Sequence, residues 1–252
     1  MTEMLTILQQ NGMLFLMGQY PNGPLGGVLC TLLVSVLAIV FALPLGVLLS
    51  VARVSPYRWL RWPATAWVYV LRGIPLLMVV FWTYFCLPLL LGHTLSGFAT
   101  MLITLVIYES AYIAEIVRAG IQALPPGQYE ASRALGMSYT RTFRLVILPQ
   151  ALYNMLPSLV SQLVSIIKDS TLGYVINVPE LTFAANQVNN QLLTKPFQVF
   201  AIVALSYYLI CFSLTWLANW LERRIAEKRN RSHPVASSTS GTLLVTKPVI
   251  EE

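Results

Sequence analysis

Long apolar runs dominate this chain and alternate with short polar segments. Five runs reach the length of about 20 residues that a helix needs to cross a hydrocarbon core. They cover residues 28–52, 64–91, 98–117, 155–178 and 197–221. An outer-membrane barrel has short segments of alternating polarity, whereas these runs are continuous. The pattern therefore predicts an all-α integral membrane protein with about five transmembrane helices.

Four prolines fall inside or beside these runs, at Pro44, Pro75, Pro88 and Pro157. Each removes a backbone N–H donor, so we expect helix breaks or kinks at these positions. The second run is longer than a straight span requires, and it has room for a tilt or a kink.

The composition agrees with a membrane domain. Hydrophobic residues make up 56% of the chain and charged residues 10%, with a mean hydropathy of +0.67, whereas soluble domains average about 25% charged residues. We predict one transmembrane domain over residues 28–222. A segment of residues 1–27 precedes it, and residues 223–252, rich in Ser, Thr and Pro towards the end, are predicted to form a disordered tail.

The cations indicate the orientation in the membrane. Lys and Arg follow the first, third and fifth runs, while the alternate segments carry only Lys195. Because cytoplasmic loops carry an excess of cations, we predict a periplasmic N-terminus and a cytoplasmic C-terminus. The net charge of +6 then reflects topology, and no nucleic-acid partner is expected.

Several kinds of chemistry lack a motif in this sequence. Cys30, Cys86 and Cys211 lie in apolar runs without metal-ligand spacing, so neither a disulfide nor a metal site is expected. A Gly-x-x-x-x-Gly-Lys-Ser/Thr phosphate loop is missing, and no nucleophile stands at a suggestive spacing from a base. We therefore predict no catalytic residues and no ATP hydrolysis by this chain.

The polar segment 121–149 has the signals of two short helices. Pro125 and Pro126 stand where a helix can begin, and Gly136 can end it in the left-handed conformation. Ser138 can cap a second helix. Such an L-shaped pair forms a firm projection. The simpler interpretations are an interfacial amphipathic helix or a solvated loop.

The residue order in this segment carries a family resemblance. Glu130, Ala131 and Ser132 are followed after three residues by Gly136, and later by Val146 and then Leu148 and Pro149. This order resembles the EAA loop of the membrane subunits of ATP-binding-cassette importers, with Ser132 in place of the second Ala and Val146 in place of the usual Ile. The resemblance implies the type I importer permease fold. It also implies that Glu130, Ala131, Ser132, Gly136, Leu148 and Pro149 couple the chain to an ATPase.

Further segments narrow the resemblance to the polar amino-acid uptake branch, which includes glutamate/aspartate, glutamine and histidine systems. Arg72, Gly73, Ile74 and Pro75 resemble the Arg-Gly-Thr-Pro segment of that branch. The stretches 112–120, 149–150 and 168–172 resemble its later signatures. In the last of these, Ser170 and Thr171 stand in exchanged order.

Charged side chains inside the spans are the candidates for substrate contact. A charge near the bilayer centre costs roughly 2.5 to 3.5 kcal/mol, so Lys168 and Asp169 require partners. Adjacent residues on a helix do not face each other, and the sequence offers Glu109 and Arg72 as those partners. The substrate-binding or gating candidates are Arg72, Glu109, Glu115, Lys168, Asp169, Ser170 and Thr171.

The same residues have simpler roles available. Lys168 and Asp169 can be members of structural ion pairs, and Arg72 can extend its charge towards the cytoplasmic surface. Glu115 and Arg118 are three residues apart and can form a local pair.

The resemblance implies a permease subunit of an amino-acid importer in a bacterial inner membrane. The implied partners are an ATPase dimer that binds ATP and Mg, a second permease, identical or homologous, a periplasmic solute-binding protein, the amino-acid substrate and membrane lipid. Glutamate or aspartate is the first guess for the substrate. The alternatives are an ion-coupled secondary transporter, with Glu109 or Asp169 carrying a proton, and a non-transporting membrane scaffold.

Overall fold

The computed structural model describes residues 2–232, and within them the regular structure consists of helices without a β-strand. In chain order the α-helices are α1 (Thr2–Met17), α2 (Gly27–Val54), α3 (Arg58–Gly73), α4 (Leu76–Leu91), α5 (Gly97–Gln122), α6 (Pro126–Ala134), α7 (Tyr139–Thr142), α8 (Leu148–Asn154), α9 (Leu156–Asp169), α10 (Leu181–Leu192) and α11 (Pro196–Ser232). A π-helical turn, Phe143–Ile147, joins α7 to α8, and a 3-10 helix, Ser170–Ile176, follows α9.

The prediction of about five membrane spans is confirmed, with one of them broken. Four helical segments are long and apolar enough to cross a membrane: Gly27–Val54, Gly97–Gln122, Leu156–Ile176 and Pro196–Glu227. The pair α3 and α4, whose axes are bent by 108°, has together the length and composition of a fifth, broken span. Pro75 is the N-cap residue of α4, so the predicted break at this proline is present.

The prolines do not all act as predicted. Pro44 lies inside α2 and Pro88 inside α4, and both helices continue through them. The prediction of breaks at these two positions is wrong, since a proline removes one helical hydrogen bond without ending a well-packed membrane helix. Pro157 lies in the first turn of α9, directly after the break at Met155.

Helices α2 and α5 form the centre of the molecule. Small residues of α2, among them Ala38, Ala42 and Gly46, are buried along this contact. A Cβ atom at Gly46 would lie 2.6 Å from the side chain of Ile113. Small residues allow such close approach of two membrane helices, and here they hold α5 and its charged residues in a fixed position.

The N-terminal segment contains a helix that the search for long apolar runs did not reveal. Helix α1 is shorter than a span and packs across α10 and the first turns of α11. Its buried residues Ile7 and Phe15 share one core cluster with Leu181, Val199 and Val203.

The last helix corrects the predicted start of the disordered tail. Helix α11 continues to Ser232, so residues 223–232 are helical because the span extends beyond its apolar part. Residues 233–252 of the predicted tail lie outside the described residues.

Candidate coupling element and membrane site

Helix α6 begins and ends where the sequence predicts. Pro125 is its N-cap, and Gly136, at φ +76°, follows its C-terminus in the left-handed conformation. The N–H of Gly136 donates to the carbonyl of Arg133 at 3.0 Å, and the N–H of Met137 donates to the carbonyl of Ser132 at 3.2 Å. These two hydrogen bonds satisfy carbonyl groups that the helix end leaves without partners, and they fix the direction in which the chain leaves the helix.

The second helix is short and passes into a π-helical turn. The Ser138 hydroxyl accepts the N–H of Arg141 at 3.4 Å and caps α7 as predicted. After the π-helical turn, Leu148 begins α8 and Pro149 lies in its first turn. Leu148 and Pro149 therefore belong to the connection between the projection and α9. We name residues 126–147 the coupling element.

Side chains connect α6 to α7 and to α8. The ring of Tyr139 lies 6.4 Å from that of Tyr129 on α6 and 6.5 Å from that of Phe143. The Ser132 hydroxyl donates to the carbonyl of Gln128 at 2.8 Å, and the Gln150 amide of α8 donates to the side-chain oxygen of Gln128 at 3.4 Å. The element is thus a firm projection and not a solvated loop.

The outer face of α6 is available for a partner. Glu130 and Ala131 are exposed, whereas Ser132 is buried and has a structural role. Leu135, one turn after Ala131, is 83% exposed at the tip. Sequence analysis missed Leu135, although an apolar residue directly before the terminating Gly136 was a visible signal.

Three of the predicted membrane residues lie together. Glu109, Lys168 and Asp169 line one cavity of about 350 Å³ between α5 and α9, together with Tyr108, Tyr112, Gln162 and Ser165. We name it the Glu109 cavity. One carboxylate oxygen of Glu109, Oε2, accepts the amide N–H of Gln162 at 2.6 Å. The other, Oε1, is buried and receives no hydrogen bond from a donor group of the described residues. The Glu109 carboxyl group also interacts with that of Asp169.

Arg72 does not join this group, so its predicted role as the charge partner of Asp169 is wrong. Its Nη1 atom lies 3.7 Å from Oε2 of Glu115, and its guanidinium lies 5.5 Å from the ring centre of Tyr112. The reason is the bend after α3, which ends the helix at Gly73 and leaves Arg72 beside the C-terminal half of α5. There it lines a neighbouring cavity of about 460 Å³ with Glu115 and Gln162.

Glu115 is surrounded by cations from three helices. Its carboxylate bonds to Arg118 on the same helix, as predicted, and its Oε2 lies 2.5 Å from Nη1 of Arg53 on α2. The Arg53 side chain is only 8% exposed. With Arg72, these pairs tie α2, α3 and α5 together at one end of the molecule.

Ser170 and Thr171 lie apart from the cavity lining. Their hydroxyls donate to the carbonyls of Ile167 at 2.8 Å and of Lys168 at 2.6 Å, respectively. These hydrogen bonds satisfy carbonyl groups in the last turn of α9. Both hydroxyls therefore have a local structural role in this conformation.

Sequence analysis missed a polar stripe on α9. The stripe contains Ser158, Ser161, Gln162 and Ser165, spaced three and four residues apart, which places them on one helix face. Gln162 lines the Glu109 cavity, the Arg72 cavity and a third cavity of about 320 Å³ that reaches Asn219 and Glu222 of α11. The three cavities thus meet at one amide side chain. The described residues contain no cluster of metal-ligating side chains.

Comparisons with known proteins agree with this architecture. The family described as "Binding-protein-dependent transport system inner membrane component" matches residues 39–227. The chain is 39% identical over 195 residues to a protein of Bacillus subtilis named probable glutamine ABC transporter permease protein GlnM, covering 77% of this chain and 89% of the relative. It is 38% identical over 217 residues to the glutamate transport system permease protein GluD of Corynebacterium glutamicum, covering 84% of this chain and 78% of the relative.

A solved structure resembles the whole described fold. It is titled "Crystal structure of an amino acid ABC transporter with histidines", and a chain of it superposes with a TM-score of 0.76 at 31% identity. The match covers 88% of this chain and 98% of the other. This chain therefore belongs to the family of binding-protein-dependent transport system inner membrane components.

Proposed function

We propose that this chain is the permease subunit of an ATP-binding-cassette importer that carries a polar amino acid across a bacterial inner membrane into the cytoplasm. Family membership and the names of its relatives support this proposal. The observation that carries it is the coupling element, a braced projection that exposes Glu130, Ala131 and Leu135. Like other members of the family, the subunit is not itself an enzyme.

The energy for transport comes from a separate ATPase dimer. The chain has no phosphate loop, so ATP and Mg bind to that partner. A firm projection suits this role, because closure of an ATPase must be transmitted as a movement of packed helices. The coupling element follows the third apolar run on the cation-rich side, which supports a cytoplasmic position.

Two further partners complete the assembly. The polar stripe of α9 and its cavities open on the surface of a single chain within the membrane-spanning region, where uncovered polar groups are costly. A second permease, identical or homologous, covers this stripe and forms the translocation pathway with it. A periplasmic binding protein delivers the substrate at the opposite end from the coupling element.

The Glu109 cavity supports a zwitterionic substrate. Lys168 can meet the α-carboxylate, while the neighbouring carboxyl groups of Asp169 and Glu109 can accept hydrogen bonds from the α-ammonium group once the substrate displaces their mutual contact. Arg72, a cation that would suit an acidic side chain, is paired with Glu115 and does not line this cavity. Since two carboxylates and one ammonium group line the cavity, we favour a neutral side chain such as that of glutamine over an acidic one.

The coupling proposal is tested by purifying the tagged chain in detergent with its co-expressed ATPase. We expect the ATPase to copurify with the native chain and to be lost in Glu130→Arg and Leu135→Asp. Arg61→Glu is the matched control, a charge reversal on an exposed residue of α3 outside the coupling element, and it retains the ATPase.

Two results argue against the proposal. Uptake in vesicles that needs no ATPase and stops with a proton uncoupler would establish the ion-coupled alternative. An intact complex with ATPase and binding protein that moves no amino acid would leave the non-transporting scaffold as the remaining alternative.

The substrate is tested separately with reconstituted complex. We expect unlabelled glutamine to compete with labelled glutamine for uptake, and glutamate and aspartate to compete weakly. Stronger competition by glutamate returns the preference to an acidic substrate.

A further inference from the structure

Helix α1 has three faces of different character. Ile7, Phe15 and their neighbours pack against the protein. Glu3, Gln9 and Gln10 lie on an exposed, mostly polar face that also carries Met13. Between them runs an exposed apolar stripe formed by Leu5, Leu8 and Leu16, which are 56%, 45% and 53% exposed. Their spacing, with Gly12 in register, places all four on one line along the helix.

The depth of α1 follows from its contacts. Val199 and Val203 of α11, which pack in the α1 cluster, lie about 5 to 10 Å along the axis from Pro196, where α11 begins. An interfacial amphipathic helix buries its apolar face about 5 to 10 Å into the boundary between headgroups and acyl chains. Helix α1 therefore lies at the level where the last span enters the hydrocarbon.

The exposed stripe continues a surface that already faces lipid. Leu29, Leu33 and Val36, on the first turns of α2 beside α1, are also exposed apolar residues of a membrane span. Among the described residues, the one cation that contacts α1, Lys195, is paired with Glu3 at 3.1 Å on the polar face, so no charge lies on the apolar stripe itself. The chemistry of the stripe thus fits acyl chains.

We propose that α1 is an interfacial anchor that inserts Leu5, Leu8 and Leu16 among the lipid acyl chains at the end of the molecule opposite the coupling element. The anchor fixes α10 and the entry of α11 relative to the bilayer surface. This proposal depends on the membrane insertion of the spans, and on neither the ATPase nor the identity of the substrate.

Two positions on α1 make a matched pair for labelling. A Cβ atom at Gly12 meets nothing within 4 Å, so Gly12→Cys places a label on the apolar stripe without a clash. Gln10→Cys places the same label on the polar face, because positions 10 and 12 are about 200° apart around the helix axis. The background is the full complex in liposomes with Cys30, Cys86 and Cys211 replaced by serine.

We expect an environment-sensitive fluorophore at Gly12→Cys to show blue-shifted emission, strong quenching by lipids with a nitroxide high on the acyl chain, and little quenching by aqueous iodide. The label at Gln10→Cys shows the reverse. If Gly12→Cys is quenched by iodide and not by the lipid nitroxide, the stripe faces water and the anchor is refuted. Protection from both quenchers, with crosslinking to a second permease, refutes it in favour of a protein contact.

A second variant tests the energetic role of the stripe. Replacing Leu5, Leu8 and Leu16 by asparagine leaves the buried face intact, so we expect a folded protein whose Gly12→Cys label becomes accessible to iodide by a severalfold increase. An unchanged label in this variant overturns the proposal.

Discussion

Glu109 and Glu115 are six residues apart on α5, and the structure gives them opposite surroundings. Glu115 is contacted by Arg53, Arg72 and Arg118, so its charge is more than balanced. Glu109 is fully buried, accepts a hydrogen bond from one neutral amide, and has the carboxyl group of Asp169 as its other polar neighbour.

The difference shows that a charge inside a span does not reveal its own role. The partners of Glu115 come from α2 and α3 as well as α5, and together they form a structural junction. Among the described residues Glu109 has no ion-pair partner, and a buried carboxylate without a counter-charge is suited to bind a cation of a ligand. Both residues entered the sequence-based set of substrate candidates, and only Glu109 has the surroundings of one.

The largest effect is expected when the junction loses its anion. Glu115→Gln leaves the buried Arg53 without a counter-charge, and removing one partner of a buried pair costs about 3 kcal/mol or more. We expect a clearly lower melting temperature in detergent. The double variant Glu115→Gln with Arg53→Gln recovers part of the loss, and a double variant less stable than Glu115→Gln contradicts the structural role.

Glu109→Gln tests the other half of the comparison. The amide keeps a partner for Gln162, so the melting temperature changes little. Uptake falls roughly 10- to 100-fold, because hydrogen bonds to charged groups contribute about 1.5–3 kcal/mol. Reconstituted transport measures the effect. The control is Ser213→Ala on α11, an exposed residue outside the cavities whose hydroxyl donates to the carbonyl of Ile210 in its own helix. Normal uptake by Glu109→Gln removes the substrate assignment.

A third buried carboxylate outside the spans extends the comparison to pH. Glu180 accepts the N–H groups of Thr182 and Phe183, each at 2.8 Å, and the hydroxyl of Tyr207 at 2.9 Å. Burial raises its pKa from 4.5 to about 7 in spite of these donors.

Because the folded state holds this proton to a higher pH than the unfolded chain, the contribution of Glu180 to stability is present below about pH 4.5 and declines as the pH rises through 7. The change amounts to roughly 3 kcal/mol. We expect the melting temperature to fall between pH 5 and 8, and Glu180→Gln to flatten this slope. Equal slopes for both proteins contradict the assignment.

The smallest effect is expected at Arg72. Its side chain is 38% exposed and its contact to Glu115 is 3.7 Å long, so the pair contributes about 0–1 kcal/mol. Arg72→Gln should therefore be nearly as stable as the native chain. A loss as large as that of Glu115→Gln shows that the junction depends equally on all three arginines.

The sequence predicted best where the signals are local. Gly136 and Ser138 act on their own backbone neighbours, and both were placed correctly. Arg72 was misplaced because its position depends on the direction of the chain after Gly73, which a hydropathy pattern does not contain. Helix α1 was missed for a related reason, since its two apolar faces become apparent only when α10 and α11 are present. Gln162 was overlooked because a neutral polar residue among apolar ones gains its meaning from the cavities it joins.

Helix α11 is long enough to extend from the membrane into the surrounding water. Its 37 residues extend about 55 Å, far beyond a hydrocarbon core of about 30 Å. The guanidinium of Arg224 lies 4.7 Å from the ring centre of Trp220, a pairing typical of the membrane boundary. From there to Ser232 the helix rises about 12 Å into the aqueous phase. A fluorescent dye attached to this part of the helix lies outside the bilayer. The distance between this dye and a second dye on the ATPase reports how the ATPase subunits move relative to the membrane.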